Sequence, residues 1–424
     1  MTASGTGRAR VKSVAALGAL VAALAGASHA HAAFPGENGR IFFSSDRDGE
    51  GNLPQMELYS MRPDGTDVKR LTNTAGGEYS PAASADGRWI VYSYIPGAGE
   101  PGPGEARIEI RRADGTARRE LTASVAGRDD WAGGFAPDGQ TVTFTREPAG
   151  DGSGELWLVD SDGTDARSID PALSDTAYEP TYTPDGESVV FAGSFAGGGT
   201  RIYSVVPGEP LATPASPASP RGSYEPSVSP DGSRVAFDRG EDFGAESFQG
   251  IFSSTLSAED LETVLAPAGP FQSYGAAYSP NGQRIVYSRY SEDDPDRSTQ
   301  LFSIALGGGQ PTRLTESGPD SDYADWAPAV RLPSVLFSKK PRKRTGKRRA
   351  NFRMKASPRG ATVACRLDRG PWRRCRVGRK NVFSRLKPGK HVFRARATAS
   401  GETGPTLDYT ETGPTRTFRW KVRR

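Results

Sequence analysis

SPDGSRVAF, Ser229 to Phe237, is the stretch on which the reading of this chain turns. A Ser-Pro pair and an Asp-Gly turn lead into residues of alternating polarity that end on an aromatic, the pattern of a half-buried strand entered through a tight turn. Near copies are SADGRWIVY (Ser84 to Tyr92), APDGQTVTF (Ala136 to Phe144), TPDGESVVF (Thr183 to Phe191) and SPNGQRIVY (Ser279 to Tyr287). A further copy, NGRIFF at Asn38 to Phe43, lacks the leading half. The six glycines, Gly39, Gly87, Gly139, Gly186, Gly232 and Gly282, lie 48, 52, 47, 46 and 50 residues apart. That period suits four short strands with their turns, and its regularity means an array of like units.

A second phrase follows each copy: ELYSMRPDGTDVKRLT from Glu57, RIEIRRADGTARRELT from Arg107, ELWLVDSDGTDARSID from Glu155, RIYSVVPGEP from Arg201, GIFSSTLSAED from Gly250 and QLFSIALGGGQPTRLT from Gln300. Each reads as a strand, a turn and a short polar outer strand. Four antiparallel strands per unit, repeated radially, make propeller blades and protect the sheet edges. The NGRIFF copy has no inner strand before it, whereas Asp322-Tyr323-Ala324-Asp325-Trp326-Ala327-Pro328 is an inner strand without a following turn. Together they make one blade, which predicts a six-bladed ring closed by its two ends.

In these phrases the chain resembles the TolB-type propeller family, with its "DPxWSPDGxxIAF" and "IYxMxxDGxxxxxLT" repeats, over roughly 300 residues. The resemblance implies an envelope protein that binds other proteins. Residues 1–32 have the three parts of a secretory signal: Arg8, Arg10 and Lys12, an apolar run from Val14 to Ala27, and Ala30-His31-Ala32. Cleavage is expected after Ala32 and the mature chain is expected outside the cytoplasm. No later apolar run is long enough for a membrane-spanning helix.

Charge divides the rest. Residues 33–335 hold 23 Lys+Arg against 46 Asp+Glu, a balance of −23, and residues 336–424 hold 28 against four, a balance of +24. This predicts an acidic propeller over 33–335, a basic linker over 336–349 and a separate basic domain over 350–424 whose cations fit an anionic envelope polymer, the acidic propeller of the same or another copy, or simple solubility. Nucleic acid is not expected outside the cell. Short strands within Ala350 to Ala356, Ala361 to Leu367, Lys380 to Leu386, Lys390 to Ala397 and Arg416 to Val422 suggest a small β-sandwich. The segments around Cys365 to Cys375 and Leu386 to Ala397 resemble bacterial extracellular immunoglobulin-like domains. Cys365 and Cys375, the only cysteines, bracket a hairpin and are expected to form a disulfide across neighbouring strands.

Histidine usage restricts the chemistry. His29 and His31 belong to the signal, His391 to the C-terminal domain, and residues 33–335 contain none. This excludes a Ser-His-Asp triad and a histidine general base in the propeller. Carboxylates remain: Glu78, Asp129, Asp130, Glu179, Glu225 and Asp325 stand at the starts of inner strands, where blades would bring them around the channel mouth. Beside them Tyr79, Trp131, Tyr178, Tyr224 and Tyr274 hold one place in five repeats, and Tyr323 follows after a one-residue slip. Blade-to-blade packing and a mouth for a ligand both fit such a ring. Long loops, Pro96 to Glu105, Glu147 to Gly154 and Gly240 to Gly250, are expected around it.

No resident cofactor is expected, although Asp46, Asp48, Glu50 and Asn52 alternate as oxygen donors for Ca²⁺ would, without the distal Glu of an EF-hand. The residues thus point to an exported, non-enzymatic binding protein whose propeller face takes a protein, peptide or glycan. The alternative is a glycoside hydrolase or lyase that uses two propeller carboxylates.

Overall fold

The computed structural model describes residues 31–48, 56–97, 105–148, 153–169, 174–243, 246–291, 293, 297–402 and 408–423, and the expected signal lies almost wholly outside them. The chain divides into two compact units, up to Ala329 and from Val330.

The first unit is a six-bladed propeller. The first blade joins the two ends of the repeat region. Ser321–Pro328 is its inner strand, followed by Asn38–Ser45, Glu57–Met61 and Lys69–Arg70, with Ile41 opposite Trp326. Blades two to six each take four consecutive strands, and their inner strands are Gly77–Ala83, Arg128–Phe135, Ser174–Tyr182, Tyr224–Val228 and Phe271–Tyr278. Each inner strand touches the next, and the sixth touches the first. A two-residue strand, His31–Ala32, pairs in parallel with Tyr224–Val228 on the channel side of the fifth blade, so the expected cleavage point falls at its end.

The aromatics that end the repeated phrase, Phe43, Tyr92, Phe144, Phe191, Phe237 and Tyr287, are fully buried. Each contributes about 1.5–3 kcal/mol by leaving water. Arginines lie over several of these rings: Arg146 over Phe144 and Trp157, Arg239 over Phe237 and Phe252, Arg289 over Tyr287 and Phe302.

The Asp-Gly phrase builds a longer turn than a two-residue hairpin. Ser84 N–H donates to Trp89 O and Gly87 N–H to Ser84 O, with Gly87 at φ 69°. The Asp86 side chain accepts from Ser84 Oγ and Arg88 N–H inside the loop. Asp185, Asp231 and Asn281 repeat both contacts in their own copies. The conserved shape therefore rests on an Asx-type side-chain cap plus one left-handed glycine.

Each inner strand is stitched by a side chain to the inner or second strand of a neighbouring blade. Asp325 Oδ2 accepts from Ala83 N–H (2.7 Å), Ser93 Oγ from Ala132 N–H (2.8 Å), Thr145 Oγ1 from Glu179 N–H (3.2 Å) and Ser227 Oγ from Tyr278 N–H (3.1 Å). Glu179 Oε2 accepts from Glu225 N–H, and Ser288 Oγ donates to Asp322. All six interfaces carry such a stitch, which satisfies polar groups that the diverging strands cannot pair with one another.

The second unit is a β-sandwich. One sheet contains Ser334–Lys339, Ala350–Ser357 and Lys380–Phe383. The other runs, in spatial order, Arg344–Thr345, Arg416–Val422, Gly389–Glu402, Thr362–Leu367 and Arg373–Cys375, with Asp408–Thr412 beside Gly389–Glu402. Between them lie Phe352, Phe393, Phe418, Trp420 and the Cys365–Cys375 disulfide, which joins adjacent strands as expected. The expected linker over 336–349 is corrected. Val335 is buried in this core, and Ser334–Lys339 pairs with Ala350–Ser357. Val335 and Phe337 alternate with exposed Leu336 and Ser338, a strand pattern masked by the surrounding cations. The Gly240 to Gly250 loop is corrected too, because Arg234–Phe243 and Glu246–Thr255 prolong one hairpin across it.

Candidate functional site

Five aromatics occupy one register position of their inner strands. Tyr79 lies opposite Ser93, Trp131 opposite Thr145, Tyr178 opposite Ala192, Tyr224 opposite Asp238 and Tyr274 opposite Ser288. In the first blade Asp322 takes that position, opposite Ser44, and Tyr323 is the next residue. All six aromatics are half-buried while most of their chain neighbours are buried.

A register shift follows in every inner strand, directly after the aromatic position except in the third blade, where it comes one residue later, after Ala132. The residue after the aromatic has positive φ in four blades: Ser80 (66°), Glu179 (60°), Glu225 (53°) and Gly275 (63°). Tyr323 has φ 55° at the matching place in the first. For Glu and Tyr this left-handed backbone is uncommon, and the bulge is what re-aims their side chains.

The structure separates the candidate acids. Asp130 is held by Arg146 through two hydrogen bonds (2.8 and 3.0 Å), with Arg128 at 3.5 Å. Asp129 accepts from the backbone of Glu105 and Ala106, and Asp325 from that of Ala83 and Trp326. These three are engaged with arginine or backbone partners. Glu78 is fully buried, accepts from Thr74 Oγ1 (2.6 Å), and is pushed up to about 8 by burial.

Glu179 and Glu225 do come together, and Asp238, which the sequence reading missed, joins them. Burial first, then the Asp238 and Glu179 charges, push the Glu225 carboxyl well above the usual range, and burial followed by Glu179 does the same to Asp238. One oxygen each of Glu225 and Asp238 is buried without a hydrogen-bond partner. Asp322, which accepts from Tyr274 OH (2.9 Å) and Tyr323 N–H (2.7 Å), is pushed by burial to about 6. A signal for Asp238 exists, because the residue after the buried aromatic is Ser93, Thr145, Ala192 or Ser288 in other copies and a carboxylate only here.

These positions thus combine half-buried aromatic rings with carboxyl groups whose pKa burial raises. Tyr79 and Tyr323 meet edge to face at 6.4 Å, and Trp131 Nε1 donates to Glu147 (2.7 Å). Of the Ca²⁺ candidates, Glu50 and Asn52 lie outside the described residues, and Asp48 accepts from Tyr59 OH (2.7 Å). Among the described residues no three His, Cys, Asp or Glu side chains stand where they could hold a metal ion. No helix among them is long and apolar enough to cross a membrane.

A family model described as the TolB beta propeller domain matches residues 102–330, more than half of the chain. An uncharacterized protein of Agrobacterium fabrum is 28% identical over 148 residues, which cover 33% of this chain and 48% of that protein. A TolB homolog of Chlorobium chlorochromatii is 27% identical over 152 residues, 36% of this chain and 30% of the relative. The chain spans less than half the length of these curated relatives. Among solved structures, TolB from Acinetobacter baumannii superposes with a TM-score of 0.55 at 20% identity, over 70% of this chain and 68% of that one, a likeness of fold.

Proposed function

We propose that this chain, which belongs to the TolB β-propeller family, is an exported binding or scaffold protein of the cell envelope that performs no chemistry of its own. Its propeller mouth takes a segment of a protein, peptide or glycan, and its basic sandwich keeps it at an anionic envelope surface. The observation that carries this reading is the ring of half-buried aromatics at one register of the inner strands. Aromatics fixed on a rigid scaffold, with apolar faces and polar tips, offer contact area at low entropic cost. Against catalysis stands the commitment of Asp130 and Asp325 to arginine and backbone partners, together with the lack of histidine over residues 33–335.

The test is capture of partners from envelope extracts with the full mature chain, beside a Tyr79→Ala, Trp131→Ala, Tyr178→Ala variant. The triple variant is expected to bind more weakly by at least the roughly 5- to 30-fold that removal of one central aromatic anchor brings. Capture that is unchanged in the triple variant removes the mouth from the account. Release of reducing or unsaturated sugars from a panel of plant and bacterial glycans would replace the binding reading with the carbohydrate-active one.

A further inference from the structure

We propose that the solvent face of the larger sandwich sheet is a docking site for a linear, base-free phosphodiester polymer. The inference rests on the envelope-binding reading and gives its anionic partner a chemistry and a location. On this sheet Phe393, Ala395, Ala397, Val363, Cys365, Phe418 and Trp420 point into the core, so the alternate residues face outward. Two outward pairs place like charges directly opposite each other: Arg366 against Arg394, and Lys390 against Lys421. Such pairs destabilise a sheet. Arg396 and Arg374 flank Ala364 on either side, and Arg419 lies opposite Val392. No acid occupies an outward position in these registers. A face that accumulates uncompensated cations at a cost in stability is complementary to a polyanion.

The type of cation narrows the partner. Most are arginines, and two are arranged in advance: the Trp372 ring lies over the guanidiniums of Arg366 (4.8 Å) and Arg396 (4.6 Å). A guanidinium laid on an aromatic keeps its N–H edge directed outward for an oxyanion. Arg366 and Arg394, direct cross-strand neighbours about 5 Å apart at Cβ, can together offer N–H forks to one bridging oxyanion, and the polygalacturonate arm below separates phosphate from carboxylate. Along Gly389–Glu402 the outward residues recur every ~6.6 Å, which favours a ligand whose charges also repeat along a line. Trp372 already serves two guanidiniums, so the face lacks the succession of free aromatics on which nucleic-acid bases stack.

The test uses the full-length protein and a synthetic poly(glycerol phosphate) chain, with polygalacturonate and an oligodeoxythymidine as competing arms. Binding to poly(glycerol phosphate) should weaken about 50-fold between 50 and 200 mM salt if about four phosphates are contacted at the single-strand slope. The Arg366→Gln, Arg394→Gln, Arg396→Gln variant should lose at least tenfold in affinity and about 2 in salt slope, with a melting temperature equal to or above that of the wild type. The charge-matched control Lys339→Gln, Lys355→Gln, Lys380→Gln, three exposed cations of the other sheet, should bind like the wild type. Equal loss in the control, unchanged binding in the triple variant, or equal or tighter binding of either competitor would each overturn the proposal. The propeller-mouth variant leaves this binding intact, so failure of the mouth reading and failure of this one are separately visible.

Discussion

His391 shows how one side chain can make a fold respond to pH. Both ring nitrogens face acceptors, Nδ1 the Asp368 carboxylate (2.9 Å) and Nε2 the Lys387 carbonyl (2.8 Å), and the ring lies beside Trp420. Burial opposes the charge, but these two bonds outweigh it and raise the pKa above 6.5. Because the folded value is raised, the contribution to stability is complete below about pH 6.5 and is lost as pH rises through the folded value. We expect His391→Gln to cost about 1–2 kcal/mol at pH 5.5 and progressively less towards pH 9, measured as the pH dependence of the sandwich melting transition. A pH-independent difference would refute this. At the residue scale the sequence revealed the aromatics well and the acids badly. Tyr79 and Tyr274 repeat at a fixed spacing, so periodicity places them, whereas whether Glu225 or Asp325 faces a partner depends on an adjacent blade. Asp238 escaped because it sits on a second strand, behind a buried Phe237.

The repeated turn is the element on which the propeller is built. Gly186 has φ 78°, and a Cβ there would meet Pro137 of the preceding blade at 3.3 Å. Gly186→Ala should therefore destabilise the propeller by about 1–2 kcal/mol from backbone strain alone. Gly307→Ala, at an open site without positive φ, should be close to neutral. Thermal unfolding of both variants decides, and an equal effect from the two would show that the left-handed position is not what the glycine supplies. Strand order was legible because Asp-Gly and alternating polarity mark each blade in the same way. The strand Ser334–Lys339 was not, since its two core residues, Val335 and Phe337, sit in a stretch whose composition resembles a solvated linker.

At the scale of the molecule, closure of the ring was readable from two incomplete repeats, and register pairs Ile41 with Trp326 and Phe42 with Asp325. Replacing Ser321–Pro328 with a Gly/Ser segment of equal length should abolish the cooperative calorimetric transition of the propeller and leave that of the sandwich in place. Retention of both transitions would mean that the ring does not depend on its last strand. The pairing also sets an order in time. Ser45 and Ser321 share a sheet at a separation of 276 residues. In a chain that is exported from its N-terminus, the earlier strand waits for its neighbour until the last repeat has also emerged. During that interval the open arc presents a bare, aggregation-competent edge, so the yield of folded protein should depend on whatever chaperone shields that edge until the final strand arrives.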